Sequence, residues 1–261
     1  MALVKLTQIT DLHLGSTRDS VLSGVRTLES FESVLHAVEQ EGRGTDLLLL
    51  TGDLAKDCEP QAYQLLNRTL CEHKKQAIWL PGNHDDFALM AANLVDYPPV
   101  QIQEMGDWAV LTLDSSQPHE PGGHISDEQL LKVERGLRRL ADKFVLLAMH
   151  HTPVKVGCAW LDLQQIDNQQ ALHQLLTAHG NVKAVITGHV HQQFEGSWNG
   201  LPIYSSPSSC VQFKQHSDDF ALSNQPPGFR WLDLHPDGTV DTGVKFVQDF
   251  EQTPDLDYAN Y

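Results

Sequence analysis

Five groups of carboxylate, amide and imidazole side chains stand in order along the chain, each directly after a short apolar run. They are Thr10-Asp11-Leu12-His13, Gly52-Asp53, Gly82-Asn83-His84-Asp85, His150-His151 and Gly188-His189-Val190-His191. Singly, each has an ordinary explanation, because Asp, Asn and Gly after a strand are what turns require. Asp11-x-His13 and His189-x-His191 say more: on an extended segment, residues two apart face the same side. Together the groups offer two carboxylates, one amide oxygen and several imidazoles. That donor set suits Fe, Mn or Zn, whereas Mg and Ca prefer all-oxygen sites. It holds too many donors for one tetrahedral zinc, and no cysteine joins it, so two metals sharing a carboxylate fit better than a structural zinc. His36, His73, His173 and His179 lie on helical patterns instead and receive no role.

The runs that must carry these groups are Leu3–Ile9, Leu47–Leu50, Ala77–Leu80, Phe144–Met149 and Ala184–Thr187, with Ala109–Leu113 leading into Asp114-Ser115-Ser116. Continuous apolar runs of this length suit strands covered on both faces. Helical patterns lie between them. Leu28, Phe31, Leu35 and Val38 follow Thr27, a candidate N-cap; Ser126-Asp127-Glu128-Gln129 has the form of a capping box; Asn168 can cap a helix that Gly180 ends. Alternating strands and helices predict a layered α/β fold, with ligands bound beyond the carboxyl ends of the strands. Leu201–Ser206, Phe229–Leu234 and Thr239–Val247 read as strands without intervening helices, which predicts an antiparallel edge or a second sheet. No repeat or linker divides the chain, so residues 1–261 are expected to form one domain. The stretch 205–228, rich in Ser, Pro, Asp and Asn, reads as a long loop, and such loops tend to be functional.

The net charge of −16 argues against nucleic acid or an anionic membrane bound through a broad basic face. It does not argue against a small anion, because bound cations reverse the field locally. No apolar run approaches the length of a membrane span, and the first strand carries Lys5 and leads into Asp11, unlike a secretory signal. Cys58, Cys71, Cys158 and Cys210 stand singly, as in a reducing cytoplasm.

With those residues in place, the sequence resembles the calcineurin-like metallophosphoesterases, whose five motifs match the five groups in order over roughly residues 3 to 210. Within that family it is similar to the bacterial 3′,5′-cyclic-AMP phosphodiesterases, through Leu80–Asp85, Gly157-Cys158-Ala159-Trp160-Leu161-Asp162 and Cys210-Val211-Gln212-Phe213-Lys214. It departs from the family pattern at Thr152, after the His pair. The resemblance implies an α/β fold, a four-layer α/β/β/α sandwich with mixed sheets and a dimetal site at the C-terminal ends of the strands. It implies that Asp11, His13 and His191 hold one divalent metal and Asn83, His150 and His189 the other, with Asp53 bridging. For the fourth group it implies His150, although a strand-end histidine before a turn is compatible with either His150 or His151. His84 is implied as the general acid, and His13, Asn83, His84 and His191 as substrate contacts. Asp85 either orients His84 or makes a local turn contact. The ions expected are Fe²⁺ or Mn²⁺, with Zn²⁺ compatible.

The activity so implied is hydrolysis of 3′,5′-cyclic AMP to 5′-AMP by a metal-bridging hydroxide attacking in line. A broader enzyme acting on glycerophosphodiesters, 2′,3′-cyclic nucleotides or phosphomonoesters would use the same residues; a scaffold acting through binding alone would not need all of them. The expected partner is a small cyclic nucleotide, with no nucleic acid or membrane, and the chain is expected as a monomer or homodimer in the cytoplasm. His119–His124 and Ser205–His216 are expected beside the substrate. Trp160 and Phe213 are either packing residues or one of them meets adenine.

Overall fold

The computed structural model describes residues 2–258. Strand β1 (Val4–Ile9) ends at the first polar group, and a small hairpin, β2 (Val21–Leu22) and β3 (Val25–Arg26), feeds helix α1 (Thr27–Gln40). β4 (Leu47–Thr51), α2 (Pro60–Glu72), β5 (Ala77–Leu80) and α3 (Phe87–Asn93) follow. The next stretch holds β6 (Ile102–Met105), β7 (Trp108–Thr112), α4 (Asp127–Arg139), β8 (Phe144–Ala148), α5 (Gln169–His179) and β9 (Val182–Thr187). The last part is all strand: β10 (Phe194–Trp198), β11 (Leu201–Ser205), β12 (Gln212–Phe213), β13 (Leu222–Ser223), β14 (Gly228–Leu234) and β15 (Val240–Phe246).

The strands form two mixed sheets, ordered β15-β14-β1-β4-β5 and β10-β11-β9-β8-β7-β6. β1, β4 and β5 are parallel, and β14 and β15 extend that sheet antiparallel. β7, β8, β9 and β11 are parallel, with antiparallel β6 and β10 at the edges. The apolar runs explain the layering, because alternate residues serve opposite faces. Leu48 and Leu50 pack with Leu28, Phe31 and Leu66 of the flanking helices, whereas Leu47 and Leu49 meet Leu146, Ala184 and Ile186 of the other sheet. Val145 and Leu147 of β8 turn the other way, onto Leu137 of α4 and Leu172 and Leu176 of α5. The result is the α/β/β/α sandwich implied by the sequence. Arg230, buried on β14, ties the two sheets together. Its Nε and Nη2 donate to the Ser205 carbonyl of β11, both at 3.1 Å, and its Nη1 donates to Glu195 of β10 at 3.1 Å.

Some local expectations change. Thr27 is the first helical residue, not the cap; the chain runs from β3 through Arg26 straight into α1, so no side-chain oxygen is placed to cap it. Ser126 does cap α4, accepting from the Gln129 amide at 3.2 Å. Asn168 stands at the cap of α5, but Ile125 engages its amide on both sides, at 3.0 and 2.7 Å. Gly180 ends α5 in the left-handed region. The stretch 205–228 is not featureless, since β12 and β13 pair within it. Among the described residues, no helix is long and apolar enough to cross a membrane.

Candidate metal centre

All five polar groups meet at one rim, where the parallel strands of both sheets end. The backbone leaves the strands abruptly. Asp11, His13, Asp53, His189 and His191 all have positive φ, from 46° to 68°. The expectation that an extended backbone aligns Asp11 with His13 and His189 with His191 is therefore corrected. Left-handed turns aim these side chains inward, while Leu12 and Val190 between them are driven into the core. Non-glycine residues in this region persist only where their surroundings over-determine them. The surroundings here are an interlocking set of loops: Asp11 N donates to the Gly52 carbonyl at 3.0 Å, His13 N to the Asp53 carbonyl at 2.9 Å and Gly188 N to the His150 carbonyl at 3.0 Å.

The donor atoms sort into two groups that share one carboxylate. His191 Nε2 lies 3.2 Å from His13 Nε2 and 3.3 Å from Asp11 Oδ1, and His13 Nε2 is 3.8 Å from Asp53 Oδ2. On the other side, Asn83 Oδ1 is 3.2 Å from His150 Nε2 and 3.1 Å from His189 Nδ1, and His150 Nε2 is 3.3 Å from Asp53 Oδ2. Asp53 Oδ1 accepts from the His84 amide at 2.9 Å, which leaves Oδ2 for both groups.

Two imidazoles are oriented from behind by carbonyls. His191 Nδ1 donates to Val211 at 2.8 Å and His150 Nδ1 to Thr51 at 2.8 Å. Such contacts fix the tautomer and point the Nε2 lone pair at a cation. Lone pairs of His150, Asn83 and Asp53 then face one another in a buried site, an arrangement that calls for a positive charge at the centre. Burial and the other imidazoles keep His13 and His189 well below their usual range, which favours the neutral form that a metal ligand requires. Burial opposes charge on His150, but Asp53 and Asp11 outweigh it and push it up to about 9. Burial likewise opposes charge on Asp53, and His150, His84 and His13 prevail, holding it well below the carboxylate range. The residues present fit two transition-metal ions.

His151 is buried beside them with both ring nitrogens engaged by protein. Nδ1 bonds Ser115 Oγ at 2.9 Å and Nε2 the Pro121 carbonyl at 3.2 Å, while burial and His150 push it down to about 3. His84 lies at the mouth, its Nδ1 donating to the Lys56 carbonyl at 3.1 Å. A cavity of about 270 Å³ opens over the rim, lined by Asp53, Asn83, His84 and His189 on one side and by Glu120, Trp160 and Phe213 on the other.

A family model for calcineurin-like phosphoesterases matches residues 4–193. The chain belongs to that family. A 3′,5′-cyclic adenosine monophosphate phosphodiesterase, CpdA, of Escherichia coli strain K12 is 38% identical, the alignment covering 100% of this chain and 96% of that protein. A 3′,5′-cyclic-nucleotide phosphodiesterase of Nostoc is 35% identical over 94% of this chain and 92% of its own. Among solved structures, a dimetal phosphatase from Danio rerio superposes with a TM-score of 0.63 at 16% identity, covering 94% of this chain and 99% of that one; it shares the fold. The expected enzyme class, a metal-dependent phosphodiesterase, is met.

Within this phosphoesterase, Asp85 makes the local turn contacts. Its carboxylate accepts from the backbone of Gly82 at 3.0 Å, Leu54 at 3.0 Å and Ala55 at 3.0 Å and from the Tyr63 hydroxyl at 3.0 Å, so it staples the Asn83 turn to the Asp53 turn. Phe213 stacks flat on His191, centroids 4.0 Å apart, and is buried; the packing reading of that residue is the one the contacts support. Trp160 meets its edge at 5.0 Å. His36 and His73 gather around Glu39 on the surface, but the Lys75 ammonium sits 3.0 Å from that carboxylate and serves as its cation. Sequence reasoning missed Thr51 and Val211, which act through carbonyls that any residue carries, and Ser208, whose hydroxyl donates to the Asp11 carbonyl at 2.7 Å.

Proposed function

We propose that this phosphoesterase hydrolyses 3′,5′-cyclic AMP to 5′-AMP and thereby lowers cellular cyclic AMP. The observation that carries the reading is the pair of donor groups sharing Asp53 beneath a small cavity, in a chain alignable end to end with relatives named for that substrate. Asp11, His13 and His191 would hold one metal, Asn83, His150 and His189 the other, and Asp53 both. Fe²⁺ or Mn²⁺ suits the mixed nitrogen and oxygen donors, and Zn²⁺ is compatible. When bound, the two ions polarise the phosphoryl oxygens and provide a nucleophilic oxygen at neutral pH.

The chain's own residues do the rest. Asn83 is a neutral ligand, so the site keeps enough positive charge for a phosphodiester despite the net charge of −16. Asn83 and His84 line the cavity that the phosphate would enter, whereas His13 and His191, also expected as substrate contacts, are buried beneath it. As the P–O3′ bond breaks, the ribose oxygen must take up a proton. With Nδ1 committed to the Lys56 carbonyl, His84 Nε2 is the atom that delivers it. The purine would lie toward Trp160 and the 119–124 segment, both of which line the cavity, and of the stretch 205–228 Phe213 lines it too. Four free cysteines support a reducing compartment, which we take to be the cytoplasm. Both donor groups are built from one chain, so a monomer suffices and a homodimer is compatible.

The test is hydrolysis of 3′,5′-cyclic AMP, 2′,3′-cyclic AMP and p-nitrophenyl phosphate after separate reconstitution with Fe, Mn or Zn. The expected outcome is 5′-AMP as product and the highest kcat/KM on the 3′,5′ isomer. Equal or higher efficiency on either other substrate would sink the substrate assignment.

A further inference from the structure

The two donor groups are supported by different parts of the chain, and the support is unequal. The group of Asn83, His150 and His189 leans on the end of β4 and the loop after β5: the Thr51 carbonyl behind His150, and the Asp85 carboxylate under the Asn83 turn. The group of Asp11, His13 and His191 shares the loop after β4 through the Gly52 and Asp53 carbonyls, and leans besides on one short segment from the far end of the chain. Ser208 Oγ donates to the Asp11 carbonyl at 2.7 Å, and Ser209 N donates to the Thr10 carbonyl at 2.9 Å. The Val211 carbonyl accepts from His191 Nδ1 at 2.8 Å, and the Phe213 ring lies on the His191 ring at 4.0 Å and 7°.

The segment is itself locked. Gln212 accepts from Ser208 N at 3.0 Å and donates to the Ser208 carbonyl at 2.8 Å, while Ser208 Oγ accepts from Cys210 N at 2.8 Å. Ser30 of α1 donates to the Ser209 carbonyl at 2.7 Å. Every residue from Ser208 to Phe213 is buried. Asp11 and His191 both hold left-handed backbone, at φ 54° and 46°, which relaxes unless something opposes it.

We propose that Ser208–Phe213 is a positioning clamp for one metal only, the ion of Asp11, His13 and His191, so that this ion's affinity is set separately from its neighbour's. The inference rests on the dimetal reading above. Ser208 and Phe213 touch the backbone and ring of proposed ligands and not the reacting atoms, so they are positioning residues. Loss of outer contacts of this kind typically weakens metal affinity by about 10–100-fold. Asp53 stays with the remaining ion, so the second half-site survives.

The test uses the full chain, stripped of metal and reloaded with Mn²⁺, as wild type, Ser208→Ala and Phe213→Leu. Ions per chain are counted at increasing free Mn²⁺, and electron paramagnetic resonance separates a coupled pair from a single ion. Wild type is expected to hold two coupled ions. Both variants are expected to hold one ion with a single-ion spectrum, and to regain the second at about 10–100-fold higher free Mn²⁺. Phe213→Leu keeps every hydrogen bond of the segment, so it answers the question even if Ser208→Ala folds poorly. Adding His191→Ala to either variant should remove no further ion, whereas adding His150→Ala should remove the last one. Variants that lose both ions together, or neither, overturn the clamp while leaving the dimetal reading intact. A wild type that never holds two ions overturns both.

Discussion

Gly82→Ala is the substitution that the site should tolerate least for its size. Gly82 precedes Asn83, a proposed ligand, and lies against the proposed bridging carboxylate. A Cβ there would stand 2.5 Å from Asp53 N and 2.8 Å from Asp53 Cγ, and would press on Oδ1 as well. An ordinary contact begins near 3.4 Å, so Asp53 must retreat by about 0.9 Å at its amide nitrogen and by more at Oδ1. It cannot do so freely, because Oδ1 is held by the His84 amide at 2.9 Å and its carbonyl by His13 N at 2.9 Å. The displacement therefore passes to Oδ2 or to the Asn83 turn. A misplacement of about 1 Å at a catalytic centre costs about 100-fold in rate. Here it acts on both half-sites at once. The expected outcome is a loss of about 100-fold or more in kcat/KM on 3′,5′-cyclic AMP, together with fewer than two metals per chain by elemental analysis, in a protein whose far-UV circular dichroism is unchanged. A Gly82→Ala enzyme with two metals and kcat/KM within threefold of wild type, on the order of 0.6 kcal/mol, would refute the close-approach argument.

Three further outcomes are expected. His84→Ala should keep both metals and lose about 10²–10⁴ in kcat, measured on 3′,5′-cyclic AMP; undiminished turnover would remove His84 as proton donor. Asp85→Asn should lower unfolding free energy in urea by about 1–3 kcal/mol, because an amide nitrogen cannot accept from the backbone and Tyr63 donors that now converge on the carboxylate; an unchanged midpoint would count against the staple. Metal uptake should release a proton at neutral pH, because His150, pushed up to about 9, is charged in the metal-free protein and must lose that proton to ligate. Apparent affinity then rises about tenfold per pH unit below that value, and calorimetry in two buffers of different ionisation enthalpy reads the proton directly; heats that do not depend on the buffer would exclude it.

The chemistry was legible in the sequence because it depends on side-chain type. Asp11, His13, Asp53, Asn83, His150, His189 and His191 each carry a donor atom, and each follows an apolar run whose length identifies a strand. The layering was legible for a related reason. In Leu47–Leu50 both faces are apolar, so both must be covered, and Leu48 and Leu49 do meet different layers. What was not legible runs through the backbone. The left-handed turns at Asp11 and His191 contradict an extended reading of the same residues, since Asp and His tolerate a positive φ more often than most residues but adopt it in only a minority of cases. The carbonyls of Thr51 and Val211 orient two histidines, and any amino acid there could supply them. His150 and His151 were inseparable by type. Only the contacts of their rings divide them, one opening on Asp53 and Asn83 and the other closed by Ser115 and Pro121.

These two levels meet at the glycines. Gly52, Gly82 and Gly188 are ordinary turn residues by type, yet a Cβ on any of them would strike another part of the rim: His150 and Gly82 from Gly52, Asp53 from Gly82, and Thr10 and the Thr51 carbonyl from Gly188. Loops from both sheets are thus packed closer than side chains permit. That closeness sets the buried acceptors of Asp11, Asp53, Asn83 and four imidazoles within a few ångströms of one another. Such a rim is electrostatically unfavourable by itself, and Asp53 and Asp11 push His150 up in response. The same arrangement becomes favourable once cations supply the missing charge. Five of the candidate ligands, Asp11, His13, Asp53, His189 and His191, are held in left-handed backbone at this rim, so the close approach of the loops and the placing of the donor atoms are one feature of the fold.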